Sequence, residues 1–274
     1  MRARILTALV VALMALLSAP LDARETITRG ANLSADVASD GRIVINLIGN
    51  IWVVPHNGGE ARQITQSFTS AQRPRWAPDE SRIVFQATTD GIQRIWLHDV
   101  ATSESGSISR EPGFDFFPAW HPSGERIVYV SERHGTGLDL WEVDLPSGLH
   151  WRLSSRRGDE TEPAWSADGR DLVYVHHEDE QWSLILRRHG RAEETLLATT
   201  ERLFAPSWRP DGSLITFLRE GESGTTIEMA ILSAPRLIRT YARDERLGHS
   251  PLSWLDKHRL IYTADGRIRQ RLFN

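Results

Sequence analysis

The chain has 274 residues, which is long enough to bury a large core. Hydrophobic residues make up 40% of it and charged residues 25%, as in ordinary globular proteins, and the formal charge of −4 argues against a nucleic-acid partner, which requires a basic surface. Because the sequence contains no cysteine, disulfides are excluded and packing alone must stabilise the fold.

The first 23 residues have the parts of a secretory signal. Arg2 and Arg4 form a basic start, the stretch 5–17 is apolar, and Leu21-Asp22-Ala23 resembles a cleavage site. The apolar stretch is shorter than the ~20 residues that span a bilayer. We therefore predict a signal peptide over residues 1–23, export to the periplasm and no stable membrane insertion, with a retained membrane anchor as the alternative.

A tryptophan recurs along the rest of the chain at intervals of 44, 45, 43 and 46 residues. Each one stands two or three residues after a proline. Most are followed by a turn and a β-branched strand, as in Trp165-Ser-Ala-Asp-Gly169 before Asp171-Leu-Val-Tyr174. A period of this length with short strands is typical of β-propeller blades. The five periodic residues are Trp76, Trp120, Trp165, Trp208 and Trp254.

One further repeat precedes these five, because Val37-Ala-Ser-Asp-Gly41 aligns with the turn after Trp76. In each repeat a third strand such as Asn50-Ile-Trp-Val-Val54 and a fourth such as Gln63-Ile-Thr65 follow the second strand. Their apolar–polar alternation fits antiparallel strands whose sheets pack face to face. The sequence therefore predicts an all-β fold, a six-bladed β-propeller of four-stranded antiparallel blades.

The last repeat reaches the end of the sequence after its third strand. Residues 25–29, Glu-Thr-Ile-Thr-Arg, resemble the fourth-strand segment Ala61-Arg-Gln-Ile-Thr65. We predict that residues 25–29 pair with residues 267–271 and close the ring, which removes open sheet edges. Residues 24–274 are then a single propeller domain, in which Trp254-Leu-Asp-Lys-His258 lacks the turn glycine of most other repeats.

Tryptophan side chains are predicted to fill the space between neighbouring sheets, since an aromatic of this size repeated in each blade serves packing most simply. The prediction covers the five periodic residues and four on third strands: Trp52, Trp96, Trp141 and Trp182.

A search for catalytic motifs finds no G-x-S-x-G elbow, no H-x-H or H-E-x-x-H metal pair and no G-x-x-x-x-G-K loop. We predict no catalytic residue, no cofactor and no metal site. The segment His176-His177-Glu178-Asp179-Glu180 is interpreted as a solvated hairpin tip, with adventitious metal binding as the alternative. Arginines 156, 157, 187, 188 and 191 are predicted to be exposed at sheet edges.

The loops that lead from each fourth strand into the next blade converge on the central channel, where propellers commonly bind partners. Unlike the core positions, their residues differ between blades. Two interpretations stay open for Phe116, Phe117 and Phe204. They form an exposed apolar patch that marks a partner site, or they pack beneath their own loops. The candidate partner-binding residues are Arg73, Asp115, Phe116, Phe117, Glu160, Glu162, Phe204 and His249.

The pattern P-x-W-[ST]-x-D-G, followed by a strand, a polar hairpin and I-W or L-W, resembles the TolB-type propeller repeat. Pro163-Ala-Trp-Ser-Ala-Asp-Gly169 and Pro118-Ala-Trp-His-Pro-Ser-Gly124 are the best examples, and the resemblance covers residues 25–274. It implies a periplasmic protein of the Tol–Pal envelope system whose propeller binds a peptidoglycan-associated lipoprotein. TolB proteins carry an α/β domain before the propeller, whereas here only a few residues separate the leader from the first repeat.

Residues 48–65 and 262–269 also look like the first and last blades of exported amidohydrolases, in which a metal-dependent barrel follows the propeller. No position of this chain matches the H-x-H ligands of that barrel. The prediction is a non-catalytic exported propeller, expected to be monomeric, that binds or scaffolds an envelope protein such as a lipoprotein or a hydrolase domain. The alternatives are the propeller portion of a metal-dependent amidohydrolase and, on fold alone, a propeller that gates a serine peptidase.

Overall fold

The computed structural model describes residues 32–273 except 56, 67, 69, 110, 134, 136, 234–235 and 243–245. These residues form 23 β-strands and no helix, arranged as six antiparallel sheets around a ring. The predicted all-β six-bladed propeller is therefore confirmed. The predicted signal peptide and closing strand 25–29 lie outside the described residues. No helix within the described ranges is long and apolar enough to cross a membrane.

Each blade is one sheet whose strands follow each other in chain order, and the first strands of neighbouring blades contact each other around the ring. Blade one contains β1 (Ala35–Val37), β2 (Ile43–Leu47), β3 (Asn50–Val54) and β4 (Arg62–Gln63). Blade two contains β5 (Gln72–Trp76), β6 (Arg82–Thr89), β7 (Ile92–Asp99) and β8 (Ser105–Ser107). Blade three contains β9 (Asp115–Trp120), β10 (Arg126–Ser131), β11 (Asp139–Asp144) and β12 (His150–Arg152).

Blades four and five have longer first and fourth strands than blades one to three. Blade four contains β13 (Asp159–Trp165), β14 (Asp171–Glu178), β15 (Gln181–Arg188) and β16 (Glu194–Thr199). Blade five contains β17 (Arg202–Trp208), β18 (Leu214–Gly221), β19 (Gly224–Ile231) and β20 (Leu237–Ala242). Blade six has three described strands, β21 (Ser253–Asp256), β22 (Arg259–Ala264) and β23 (Arg267–Leu272).

The turn between the first two strands explains the repeated Asp-Gly pair. In blade four the Gly169 amide donates to the Ser166 carbonyl at 2.9 Å, and Gly169 has a φ of 68°, which glycine adopts without steric cost. The Asp168 carboxylate accepts the Arg170 amide at 3.1 Å, which fixes the turn. Blade six uses a shorter link, in which Asp256 accepts the His258 amide at 2.7 Å.

The periodic and third-strand tryptophans all pack in the apolar clusters between blades, as predicted. Two of them also donate a hydrogen bond to a main-chain carbonyl of the preceding blade. The Trp120 indole N–H donates to the Arg75 carbonyl at 3.1 Å, and the Trp208 indole N–H donates to the Ala164 carbonyl at 3.0 Å. Each bond therefore ties a blade to the first strand of the blade before it.

One carboxylate connects blade one to both of its neighbours. Asp36 accepts the Ser253 hydroxyl of blade six at 2.7 Å and the Trp76 amide of blade two at 2.8 Å. It also pairs with the Arg75 guanidinium at 3.2 Å. The ring is thus closed at its inner strands within the described residues.

The polar segment 176–180 is only partly a hairpin tip, which corrects the prediction. His176 lies inside β14 and is 8% exposed, and its Nε2 is 2.8 Å from the Arg157 carbonyl. His177 stacks on Trp182, and only Asp179 and Glu180 form the exposed tip. The reason is that β14 and β15 stay paired as far as Glu178↔Gln181, so β14 continues three residues beyond the point where a loop over 176–180 would end it.

Arginines 156, 157 and 191 are exposed as predicted, but Arg187 and Arg188 are half-buried. Arg187 donates to the Leu153 carbonyl at 2.7 Å, and Arg188 pairs with Asp171 at 3.2 Å. Both side chains therefore take part in contacts between strands instead of extending into solvent.

We expect Trp208→Phe to lower the free energy of unfolding by about 1–2 kcal/mol more than Trp165→Phe. The first substitution leaves the Ala164 carbonyl without its indole donor, whereas the Trp165 indole has no hydrogen-bond partner in the described part of the chain. Equilibrium urea denaturation of the two variants measures the difference. Equal losses would contradict a stabilising role for the indole bond.

Candidate functional site

The first strands of blades two to five each carry a β-bulge immediately before the end that holds the tryptophan. There, a residue and the proline after it stand opposite a single residue of the second strand. The residue before the proline has a positive φ in each case, between 52° and 54°. Such bulges re-aim a side chain, and here the four side chains line the central channel: Arg73, Phe117, Glu162 and Ala205.

An ion pair crosses the channel at this level. The Arg73 guanidinium binds the Glu162 carboxylate through two hydrogen bonds, of 2.7 and 2.8 Å, although the residues are 89 positions apart. Arg73 also donates to the His249 carbonyl at 3.1 Å and lies 4.4 Å from the centre of the Phe117 ring. The side chains of Arg73 and Glu162 are only 15% and 8% exposed. The paired geometry matches the strong two-point form of arginine–carboxylate contact.

The space left around this ion pair is about 20 Å³, lined by residues of blades two to six. A cavity of that size holds about one water molecule, whereas pockets for small ligands usually measure about 300–1,000 Å³. We call the surface formed by the loops around this ion pair the mouth face. The channel is closed at the mouth face, so a ligand there must contact the surface and not the channel interior.

The other predicted residues lie on the same face but do not join the ion pair. Asp115 is 1% exposed and its carboxylate is 3.6 Å from the Arg133 guanidinium. Glu160 is fully buried and accepts the Ser154 hydroxyl and the Arg156 amide, and burial raises the pKa of its carboxyl. Phe204 is 1% exposed and belongs to the core between blades five and six.

The three phenylalanines therefore divide. Phe204 packs beneath its loop in the core, whereas Phe116 and Phe117 are half-buried against the core of blades three and four. Among the predicted residues His249 is the most accessible, with 52% of its side chain exposed and its Nε2 3.6 Å from Glu220. The structure brings Arg73, Phe117, Glu162 and the His249 backbone together.

Sequence reasoning missed Phe114, which is 40% exposed at the rim of the mouth face. Its ring stacks on Phe116 with centroids 6.4 Å apart, and Phe116 contacts Phe117 at 6.0 Å. The three rings form a row from the rim to the Arg73 guanidinium. The signal was available, because Phe114-Asp-Phe-Phe117 places three of the eight phenylalanines of the chain within four positions.

The sequence profile described as the TolB beta propeller domain matches residues 28–240, and the chain belongs to this family. It is similar to the Tol-Pal system protein TolB of Gluconobacter oxydans, 26% identical over 40% of this chain and 24% of that protein. The TolB of Alcanivorax borkumensis is 29% identical over 29% of this chain and 18% of that protein. The matched parts thus span about a quarter or less of these relatives.

Solved structures share the fold. The putative TolB of Agrobacterium tumefaciens has a TM-score of 0.70 and 17% identity, covering 88% of this chain and 90% of that one. The tricorn protease has a TM-score of 0.71 and 16% identity, covering 87% of this chain and 25% of that one. At such identities the likeness shows the fold alone, and it extends to a protease as well as to TolB proteins.

We expect Arg73→Met to lower the free energy of unfolding by about 3 kcal/mol, because it leaves the Glu162 carboxylate buried without its cation. Adding Glu162→Met should restore part of the loss. Urea denaturation of both variants measures this. A matched control is the exposed pair Arg202–Glu220, whose disruption by Arg202→Met should cost less than about 1 kcal/mol. A double variant that is no more stable than Arg73→Met alone would contradict the coupling.

Glu160 predicts a pH dependence of stability. Since its pKa is raised in the fold, the folded protein binds a proton more tightly than the unfolded chain. Its contribution is therefore fully present below its usual pKa of 4.5 and is lost as the pH rises through the raised value. Urea denaturation between about pH 4 and 7 should show Glu160→Gln gaining stability relative to the parent as pH rises. Exposed Glu180→Gln is the control, and parallel curves for Glu160→Gln and the parent would refute the prediction.

Proposed function

We propose that this chain is an exported, non-catalytic propeller that binds a protein partner of the bacterial cell envelope through its mouth face. Membership of the TolB beta propeller family supports the envelope role, as do relatives named for the Tol-Pal system. The basic start and apolar stretch within residues 1–23 support export.

The observation that carries the proposal is the row of Phe114, Phe116 and Phe117 beside a closed channel. Aromatic side chains that are partly exposed and rigidly supported are the usual anchors of protein interfaces. Phe114 offers such an anchor, since stacking on Phe116 fixes its ring while 40% of the residue remains exposed. A closed channel leaves surface contact as the mode of recognition.

Charged groups lie at the mouth face beside blades five and six, away from Phe114. Arg202 and Glu220 are 47% and 40% exposed and lie 3.6 Å apart, and the His249 ring is also within 3.6 Å of Glu220. An apolar anchor together with an accessible polar rim is the usual anatomy of a protein interface. The space of about 20 Å³ at the mouth face is too small for a small-molecule ligand.

The amidohydrolase alternative stays a prediction. Reading the gene beyond the codon for Asn274 tests it, since an H-x-H barrel in that region would favour it. A peptidase gate would need to pass chains through the channel, and the Arg73–Glu162 pair lies across that path. We therefore favour a binding propeller over a gating one.

Phe114→Ala should strongly reduce capture of an envelope protein by the purified chain from periplasmic and outer-membrane extract. The matched control is Leu149→Ala, because Leu149 is also an exposed apolar residue, 66% accessible, but lies in the loop between third and fourth strands on the opposite face. Loss of one anchor should weaken binding by about 2 kcal/mol, or roughly thirtyfold.

Quantitative mass spectrometry of the captured proteins measures the effect, with thermal unfolding as a check that both variants fold. Capture that survives Phe114→Ala, or that is lost equally in Leu149→Ala, would refute the mouth face as the binding surface. Recovery of the expressed chain from the cytoplasm, with its leader uncleaved, would refute the exported role.

A further inference from the structure

A second and larger cavity opens at the other end of the propeller. It is a cleft of about 660 Å³ around the lower end of blade five, near Trp208 at the end of β17 and Ile231 at the end of β19. Blade four contributes Arg188 to its lining, and Phe273, which follows β23, contributes from blade six. Its size falls within the usual range of about 300–1,000 Å³ for small-molecule sites.

The cleft opens where an arginine cap that blades one and two place over the next blade is missing. Arg42, directly before the second strand of blade one, lies 4.8 Å from the ring of Trp76 in blade two. Arg82 covers Trp120 of the next blade in the same way at 5.2 Å. The equivalent positions, six residues after the tryptophan of each repeat, are Asp171 in blade four and Leu214 in blade five. Both residues line the cleft.

A second departure from the repeat occurs between blades five and six. In blades two and three a third-strand tryptophan stands opposite the aromatic residue of the second strand, as in Phe85↔Trp96 and Tyr129↔Trp141. In blade six the corresponding pair is Tyr262↔Arg269. The Arg269 side chain is 42% exposed. An arginine thus stands in blade six where blades two and three have a tryptophan, while blades four and five have Ile185 and Glu228 at that position.

The segment 236–273, which supplies Arg239, Tyr241 and Phe273 to the cleft, is basic although the chain is acidic overall. Residues 236–273 contain nine arginines and lysines against four acidic residues, whereas the chain has 32 against 36. Two cleft arginines are neutralised, Arg188 by Asp171 at 3.2 Å and Arg209 by Asp211 at 2.6 Å. Within the described ranges Arg239, which is exposed, has no ion-pair partner, so its charge is available to a ligand.

The cleft also offers apolar surface that the fold leaves uncovered. Met229, Ile231 and Leu232 line it and are each half-buried. Met229 stands directly opposite Arg239 in the β19–β20 ladder, so an apolar contact and a free cation are neighbours. On another wall the Tyr241 ring stacks on Phe273 with centroids 4.0 Å apart. This combination suits a ligand with one anionic end and an apolar body.

We propose that this cleft binds an organic anion. Arg239 binds the carboxylate, sulfonate or phosphate of the ligand, and Met229, Ile231 and Leu232 pack against its apolar body. The site is separate from the mouth face, so it can be present whether or not the partner proposed above binds there.

A pair of matched dyes tests the proposal. Anilinonaphthalene sulfonate has the required chemistry, and phenylnaphthylamine has the same aromatic body without the sulfonate. Fluorescence titration of the full chain should give saturable binding of the sulfonate at least about tenfold tighter than of the neutral dye. Arg239→Glu should remove that preference, Arg239→Lys should retain most of it, and Arg157→Glu on the mouth-face side, where Arg157 is 87% exposed, should leave it unchanged.

Methionine provides a reporter of where the dye binds. The chain has three methionines, Met1, Met14 and Met229, so a methyl-labelled sample gives three signals, and Met229→Leu identifies the one in the cleft. The Met229 signal should shift with the same midpoint as the fluorescence. Saturable fluorescence without this shift would place the dye elsewhere and overturn the proposal. Equal affinity for both dyes, or an unchanged preference in Arg239→Glu, would overturn it as well.

Discussion

In blades two to five, the bulge formed by the inner-strand proline and the residue before it is the constraint on which the channel depends. Proline has no amide hydrogen, so its position in the bulge leaves no donor unpaired. The residue before it takes a positive φ that is unfavourable for a side chain, at about 1–3 kcal/mol each. In return the bulge directs that side chain into the channel. At Arg73 and Glu162 the resulting two-point ion pair joins blades two and four and offsets part of this strain.

Repetition and variation have separate roles in this ring. Tryptophans, turn glycines and second-strand aliphatic residues recur because every blade must pack against the next. The side chain that the bulge directs inward differs in each blade, being cationic at Arg73, aromatic at Phe117, anionic at Glu162 and small at Ala205. These side chains come from different blades and lie close together only when the ring has formed. A repeated backbone can therefore hold a site whose residues do not repeat.

Local periodicity made the blades predictable, but it could not reveal which residues meet. The tryptophan period and the Asp-Gly turns determine the six sheets, whereas the Arg73–Glu162 contact joins residues 89 positions apart and has no local signal. Phe204 shows that a shift of one residue relative to the proline decides whether a side chain lines the channel or packs in the core. Phe117 directly precedes its proline and lines the channel, but Phe204 stands two residues before Pro206 and pairs with Leu218 ahead of the bulge, in the core.

The mouth face and the cleft both lie where the sequence departs from the repeat. The energy of packing gives a reason for this. A tryptophan buries about 150–250 Å², worth roughly 4–6 kcal/mol, so Arg269 opposite Tyr262 forgoes much of the packing that Trp96 and Trp141 provide. Blade six stays in the ring because Asp36 and Ser253 connect its inner strand to blade one. The packing deficit at Arg269 thus lies away from the inner strands, and an anion bound in the neighbouring cleft would stabilise the folded state by mass action.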